Sequence, residues 1–326
     1  MTSENFTAAH ANATHFDVLI IGAGLSGIGA AHHLQTRCPG RSYAILEGRN
    51  RIGGTWDLFR YPGVRSDSDM YTLGYSFRPW EQPKAIADGP SILKYVQDTA
   101  RDGGIEQHIR FGHQVKGASW STAEARWTID AEREDFSAPG QAAPTQEPVQ
   151  FTCNFLFMCS GYYSYESGYT PDFPGRELAA DLIVTATGLS LQVLGGLQIT
   201  VDGARVDLAK TMNYKGLMHS GIPNLASSFG YTNASWTLKC DLTCEYVCRL
   251  LNYMAKHGYT QCTPRNADAS ITEQPWVDFS SGYLQRSMHL FPKQGSRAPW
   301  KLYQNYPKDV MLLRFGKIAD GVMAFA

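Results

Sequence analysis

No stretch of this sequence approaches the about eighteen consecutive apolar residues of a membrane-spanning helix, and no run of lysine and arginine marks a nucleic-acid footprint. The net charge of −1 gives no general attraction to polyanions or acidic membranes, so neither nucleic acid nor membrane is expected as a partner. The seven cysteines are an odd number, scattered, and contain no CxxC, which argues against a disulfide framework and a zinc ribbon, and no metal site is expected. There is no P-loop, no GxSxG and no convincing Ser-His-Asp set, so NTPase and hydrolase readings fall away. The first fifteen residues, MTSENFTAAHANATH, are polar and lack the apolar segment of a signal peptide; they read as a disordered tail, with a reducing, cytoplasmic compartment expected. The glycosylation triplets at Asn5, Asn12 and Asn233 then read as accidental.

With 326 residues and 43% hydrophobic content the chain can bury a substantial core. Its organising element is Phe16 to Glu47. A β-type run, Val18-Leu19-Ile20-Ile21, feeds Gly22-Ala23-Gly24-Leu25-Ser26-Gly27, then a helical stretch from Ile28 to Leu34, then a second β-type run closing on Glu47. This is the pattern of a βαβ dinucleotide-binding unit. Gly22 permits the tight turn, Gly24 lets backbone approach a pyrophosphate, and Gly27 lets helix and strand pack. The helix N-terminus, with the amides of Leu25 and Ser26, offers N–H groups and a positive dipole end to phosphate. Glu47, twenty residues beyond Gly27, stands where a carboxylate accepts from an adenosine ribose.

Residues Gly48 to Trp80 are dense in glycine, aromatic and charged residues and read as a long loop with a task. Ile52-Gly53-Gly54-Thr55-Trp56, followed by Arg60-Tyr61-Pro62-Gly63 and Arg65-Ser66-Asp67, resembles the flavin-contacting segment of class B flavoprotein monooxygenases, the flavin-containing and Baeyer-Villiger enzymes. The resemblance implies that the dinucleotide is FAD, with Gly54, Thr55, Trp56 and Asp67 lying along it towards the isoalloxazine. It implies an adenine contact near Val115, and an approach of the loop at Asn233 and Ala234 to the flavin pyrimidine. It extends from Phe16 to about Arg286, and implies an α/β fold of the glutathione-reductase three-layer type.

Along the chain, Ser91 to Ala100 reads as a helix capped by Ser91, Ile109 to Thr128 as paired strands, and Ala131 to Pro148 as an exposed hairpin tip. Phe155 to Gly161 reads as a buried strand, with GYYSYESGYTPDFPG after it as a loop. Asp181 to Gly188, DLIVTATG, reads as a second buried strand. A strand is expected from Ser227, a helix from Thr237 to His257, and a β-type run from Val310 to Phe315. Cys240, Cys244 and Cys248 share a face of that helix and read as core packing. His32, His33, His113, His219 and His289 are singletons, read as structural, and no catalytic residue is assigned.

In the resembled family the two strands flanking Tyr162 to Ala180 enclose a complete NADPH domain, preceded by an FxGxxxHxxxW fingerprint. Here the interval is too short for such a domain, which needs roughly 100 residues. No second strand-GxGxxG-helix occurs between Gly48 and Ala326, and the stretch directly after Phe173-Pro174-Gly175 has no histidine or tryptophan to supply the fingerprint. The expectation is therefore one Rossmann-like FAD domain over 16–264, the NADPH domain absent, followed by a C-terminal extension over 265–326. Function is expected to be flavin redox with O2, oxidase-like and peroxide-forming, or fed by a small-molecule substrate or external reductant. The face left by the missing domain should be covered by the C-terminal stretch or by a second copy of the chain, as a homodimer. A non-catalytic FAD-binding protein and an NAD-dependent dehydrogenase are the rivals; the GGTW segment speaks against the latter.

Overall fold

The computed structural model describes residues 13–135, 146–170, 175, 177, 179–184, 186–276 and 282–326. Strand β1 (Thr14–Ile21) runs through the centre of a nine-stranded sheet. Its run Val18 to Ile21 is buried on both faces, as an apolar stretch without polar alternation requires. Val18 and Ile20 point into a core shared with helices α1 (Leu25–Arg37) and α5 (Trp236–His257), and Leu19 and Ile21 into one shared with an antiparallel meander. β1 pairs in parallel with β2 (Tyr43–Leu46) on one side and β6 (Gln146–Met158) on the other. β3 (Ile109–Arg110) extends the β2 edge in parallel. The meander is β4 (His113–Ser121) and β5 (Arg126–Glu134), joined antiparallel to the long β6, with β9 (Gln198–Val201) and β10 (Ala204–Arg205) beyond β4. Trp120 and Trp127 fill the space between meander and parallel strands. The result is a mixed α/β fold built on a Rossmann-like unit.

Several sequence expectations are corrected. The tail expected over 1–15 gives way to β1 at Thr14, where Thr14 and His15 pair with Phe151 and Thr152; residues 1–12 lie outside the described residues. The helix placed at Ser91 is α4 (Gly89–Asp102), preceded by the short helices α2 (Thr55–Leu58) and α3 (Met70–Leu73). Its cap is Asp88, whose carboxylate accepts from Ser91 N at 2.9 Å, and Pro90 suits the first turn because its missing N–H is not needed there. Of the exposed tip read over Ala131 to Pro148, Ala131 to Glu134 instead belong to β5 and Gln146 to Pro148 to β6, with Ala131 buried, while 136–145 lie outside the described residues. The segment after Gly161, read as a loop, contains strand β7 (Tyr163–Gly168), paired antiparallel with β8 (Leu189–Leu191).

The second buried strand, Asp181 to Gly188, does not form. The slot beside the C-terminal half of β6 is held by Leu225–Ser227, in register with Leu156 to Met158, so DLIV has no ladder to join. Leu182, Ile183 and Val184 stay 79%, 76% and 81% exposed. The strand expected from Ser227 thus ends there. Two-residue strands β11 (Asn213–Tyr214) and β12 (Met218–His219) precede it as β13.

The C-terminal third folds back on α5. Cys262–Pro264 pairs antiparallel with Met323–Phe325, and Trp300 and Leu313 are fully buried. Buried Lys215 meets Asp320 at 2.9 Å and buried Lys239 meets Asp309 at 3.0 Å. Burial pushes both ammonium groups below the ordinary lysine range, against the pull of the carboxylates. Arg314 forks onto Glu245 of α5 at 2.7 and 2.9 Å. Val310 to Phe315, read as a strand, instead continues the helix Tyr306–Val310 as a π-type turn. Asp309, Val310 and Leu313 face inward at helical spacing, and Asn305 caps the helix through Lys308 N.

His219 gives this core a pH response. It is 2% exposed, its Nε2 stands 3.5 Å from Ser227 Oγ, and Nδ1 has no partner among the described residues. Burial lowers its imidazole from 6.5 to about 4. Between those values the unfolded chain binds a proton that the native chain refuses, so stability rises with pH there and is lost on acidification, by about 3 kcal/mol in all. Urea melts from pH 7 to pH 4 are expected to show this slope in the parent and a shallower one in His219→Gln. Equal slopes would remove His219 from the account.

Candidate functional site

The turn between β1 and α1 is built on two glycines that cannot be replaced and one that sterically can. Gly22 sits at φ +104°, and a Cβ there would stand 2.7 Å from the Cys159 carbonyl oxygen. A Cβ on Gly27 would stand 1.9 Å from the Gly22 carbonyl oxygen, inside any permitted contact. Gly24, at φ −81° and ψ −172°, is extended backbone open to any residue, and its Cβ would meet only Gly54 backbone, Cα at 3.4 Å and N at 3.8 Å. Gly24 and Gly54 thus face each other across two loops, with nothing but backbone between.

Helix α1 has no capping side chain and no acidic residue in its first turn. The N–H groups of Leu25, Ser26 and Gly27 have no partner within the helix, and the dipole's positive end lies there. Glu47, 7% exposed at the end of β2, accepts from Ala23 N through Oε2 at 2.7 Å and from Arg49 N through Oε1 at 3.0 Å. A carboxylate has about four acceptor positions, so capacity for ribose hydroxyls remains. An uncapped helix start, a side-chain-free approach at Gly24 and Gly54, and a carboxylate fixed beside the turn fit the adenosine-diphosphate half of an FAD.

Arg49 was not singled out by sequence reading. Its Nη2 donates to Gly54 O at 2.9 Å, and its guanidinium lies 3.6 Å from both Glu47 and Asp57. It ties the Glu47 end of the site to the Gly53-Gly54 loop. A basic residue two positions after the β2 carboxylate was the available signal.

Thr55 and Trp56 open the short helix α2, with Gly54 (φ +56°) as its cap, and Trp56 packs against the core. Val115 lies in β4, half-buried, paired with Ala131 just before a register shift. The strand's start is bonded to Glu47 O through His113 N at 2.9 Å, and Gln114 packs on Gly48, which brings this stretch to the Glu47 end. Asp67 is exposed and makes no ion pair among the described residues. Asn233 and Ala234 are also exposed, with Asn233 Nδ2 donating to Gln304 O at 3.1 Å. The structure therefore gathers Gly22, Gly24, Leu25, Ser26, Gly27, Glu47 and Gly54.

What brings the Asn233 loop to the turn is Trp236, the first residue of α5, which sequence reading passed over. Its Nε1 donates to Ser26 Oγ at 2.9 Å, Tyr162 stacks on it at 5.2 Å, and Ser235 Oγ meets Thr72 Oγ1 at 2.5 Å. One turn on, Cys240 Sγ is 3.4 Å from Ser26 Oγ. Burial pushes the Cys240 thiol up to about 12, so it is a packed thiol at neutral pH and not a nucleophile. Beside it, Asp241 is driven up by burial, but the hydrogen bonds from His33 and Ser76 outweigh this and hold its carboxyl below the usual range. Among the described residues no group of three or more His, Cys, Asp or Glu could hold a metal ion. No described helix is long and apolar enough to cross a membrane.

Residues 20–82 match the family described as NAD(P)-binding Rossmann-like domain. The chain is 36% identical to the FAD-containing monooxygenase EthA of Mycobacterium tuberculosis, over 489 residues covering 96% of this chain and 98% of that protein. It is 32% identical to the putative FAD-containing monooxygenase MymA of the same organism, with 96% and 98% covered. A solved structure of an oxidized steroid monooxygenase bound to NADP superposes with a TM-score of 0.40 at 27% identity, over 50% of this chain and 28% of that one.

Proposed function

This chain belongs to the FAD-containing monooxygenases and uses FAD, and from that premise we propose that it is a flavoprotein oxidoreductase without a nicotinamide-dinucleotide site of its own. One observation carries the reading. The alignment with EthA covers 96% of this chain and 98% of that protein yet runs over 489 residues, while this chain has 326, so a long internal stretch of the relative has no counterpart here. The family's second dinucleotide domain would fall after Cys159, where this chain goes straight into β7 and back through β8. The name of the matched Rossmann family refers to NAD(P). The match, however, includes the Gly53-Gly54-Thr55-Trp56 segment of the flavin resemblance, and the curated relatives contain FAD.

The chain's residues divide the work by position. The first turn of α1 and Gly24 receive the pyrophosphate, Glu47 the ribose, with Val115 beside the adenine. Gly54, Thr55, Trp56, Asp67, Asn233 and Ala234 bound the flavin end. FAD supplies two-electron redox chemistry and, once reduced, reactivity towards dioxygen. No residue of the chain is assigned a proton-transfer role. Electrons come from a small-molecule substrate or an external reductant.

Denaturation of the purified yellow protein is expected to release FAD and no FMN, about one per chain. Dithionite-reduced holoprotein is then expected to reoxidise in air within seconds to minutes. Colourless protein that cannot be reconstituted with FAD would sink the reading, and a reduced flavin inert to oxygen would make the cofactor a structural plug.

A further inference from the structure

Helices α1 and α5 lie side by side and run in the same direction, so the polar contacts between them climb both in step. Trp236 meets Ser26 at the dinucleotide turn, Asp241 meets His33 at 3.3 Å, and Glu245 meets Arg37 at 3.0 Å. At the far end Cys38 Sγ stands 3.7 Å from the Cys248 carbonyl oxygen, and the two thiols are hydrogen-bonded to each other. That meeting is held from both sides. Asn252 Nδ2 donates to Arg37 O at 2.8 Å and Arg41 Nη2 to Leu251 O at 2.9 Å, which ties the chain before and after Cys38 to the part of α5 that carries Cys248.

The pair differs from the other five cysteines. Burial holds Cys153, Cys159, Cys240, Cys244 and Cys262 above the ordinary thiol range. Cys38 alone is held below it, first by the hydrogen bond with Cys248 and then, against burial, by the guanidinium groups of Arg41 and Arg37. Cys248 is pushed up by the same hydrogen bond and by burial. One sulfur is favoured as the thiolate while its neighbour keeps its proton, which suits an attacking and a resolving cysteine. Both side chains are buried, but Cys38 caps the end of α1 and is followed by exposed Pro39 and Gly40, so it lies one residue from the surface.

We propose that Cys38 and Cys248 form a site of oxidative modification by hydrogen peroxide, closing to a disulfide that staples α1 to α5 at the end remote from the dinucleotide turn. The Cys38 thiolate attacks one peroxide oxygen, the O–O bond breaks, and the hydroxide released takes up a proton to become water. Cys38 is left as a sulfenic acid. The Cys248 sulfur then attacks the Cys38 sulfur, its proton leaves with the sulfenic hydroxyl as a second water, and the S–S bond forms. The two thiols lose two electrons and the peroxide gains them. Flavin reoxidation would supply peroxide at close range, but the modification does not rest on the flavin reading, because added peroxide serves equally. The cross-link closes a long loop of the unfolded chain, so oxidised protein is expected to melt higher than reduced protein.

Full-length protein reduced with dithiothreitol, freed of the reductant and treated with an equimolar amount of hydrogen peroxide tests the proposal. Two of the seven thiols are expected to disappear from a count made under denaturing conditions, and dithiothreitol should restore them. A non-reducing digest examined by mass spectrometry should join the peptides of Cys38 and Cys248. Cys38→Ser is expected to slow thiol loss about tenfold or more, because the sulfur with the most thiolate character is gone. Cys248→Ser should leave Cys38 as a sulfenic acid that dimedone traps. No loss of thiols, a different pair in the digest, or equally fast loss in Cys38→Ser would each overturn the assignment. Should the serine variants fail to fold, the peptide map of the parent decides alone.

Discussion

Gly24→Ala protein is expected to fold like its parent and to lose FAD affinity by about a hundredfold, equivalent to about 2.7 kcal/mol. The two halves of that expectation have separate causes. In the folded chain Gly24 has an extended backbone, and its Cβ would touch only Gly54 backbone, no nearer than 3.4 Å. The fold therefore has no objection to alanine. A dinucleotide does: the same Cβ stands between the two glycine backbones where the pyrophosphate must come close enough to meet the first-turn N–H groups of α1. Gly27→Ala is the contrasting variant. Its Cβ would lie 1.9 Å from Gly22 O, so the strand-to-helix turn itself must open and the protein is expected to be insoluble or unfolded. Circular-dichroism melts with FAD titration followed by flavin fluorescence check both. A Gly24→Ala protein that binds FAD like the parent would show that phosphate does not pass this point.

The contrast between those glycines shows what was legible in the sequence. Spacing alone placed Gly22, Gly24, Gly27 and Glu47, because a βαβ turn is a local object whose geometry is set by residues within one strand and one helix. Position in the sheet was not local. DLIVTATG has the composition of a buried strand, yet Leu225–Ser227 holds the slot beside β6, and no property of residues 181–188 reports that competition. The run Val310 to Phe315 was misread for a similar reason. Its apolar residues fit either period, and the choice was made by Glu245, 69 residues away, which takes Arg314, and by the core that receives Leu313. Trp236 escaped notice because its partner, Ser26, is 210 residues distant. Arg49 was within reach, two residues past Glu47, but a single arginine in a charged loop carries little signal until the guanidinium is seen between Glu47, Gly54 and Asp57.

Reduction of the bound flavin by NADPH is expected to be slow and to rise linearly with NADPH without saturating at micromolar concentration. Hydride transfer requires the nicotinamide C4 to be held about 3–3.5 Å from the flavin N5, and such positioning is worth about 7–11 kcal/mol in enzymes. Forfeiting even about 4 kcal/mol of it slows the step by about a thousandfold. The proposed absence of a second dinucleotide domain between Cys159 and Leu189 forfeits it, because nothing then pre-orders the nicotinamide, while dithionite, which needs no site, should still reduce the flavin. Reoxidation carries the second half of the expectation. Two electrons and two protons passed to dioxygen give hydrogen peroxide unless a closed, water-excluding site directs an oxygen atom into a substrate. In this chain three of the six residues expected around the flavin end, Asp67, Asn233 and Ala234, are exposed, and so peroxide is expected in near-equal amount to the flavin reoxidised. Stopped-flow reduction by NADPH, followed by a peroxide assay after aerobic reoxidation, measures both quantities. Rapid, saturating reduction, with oxygen appearing in a ketone or sulfide and little peroxide released, would mean that a nicotinamide site is present and that the proposed loss of the second domain has not cost the chain its monooxygenase chemistry.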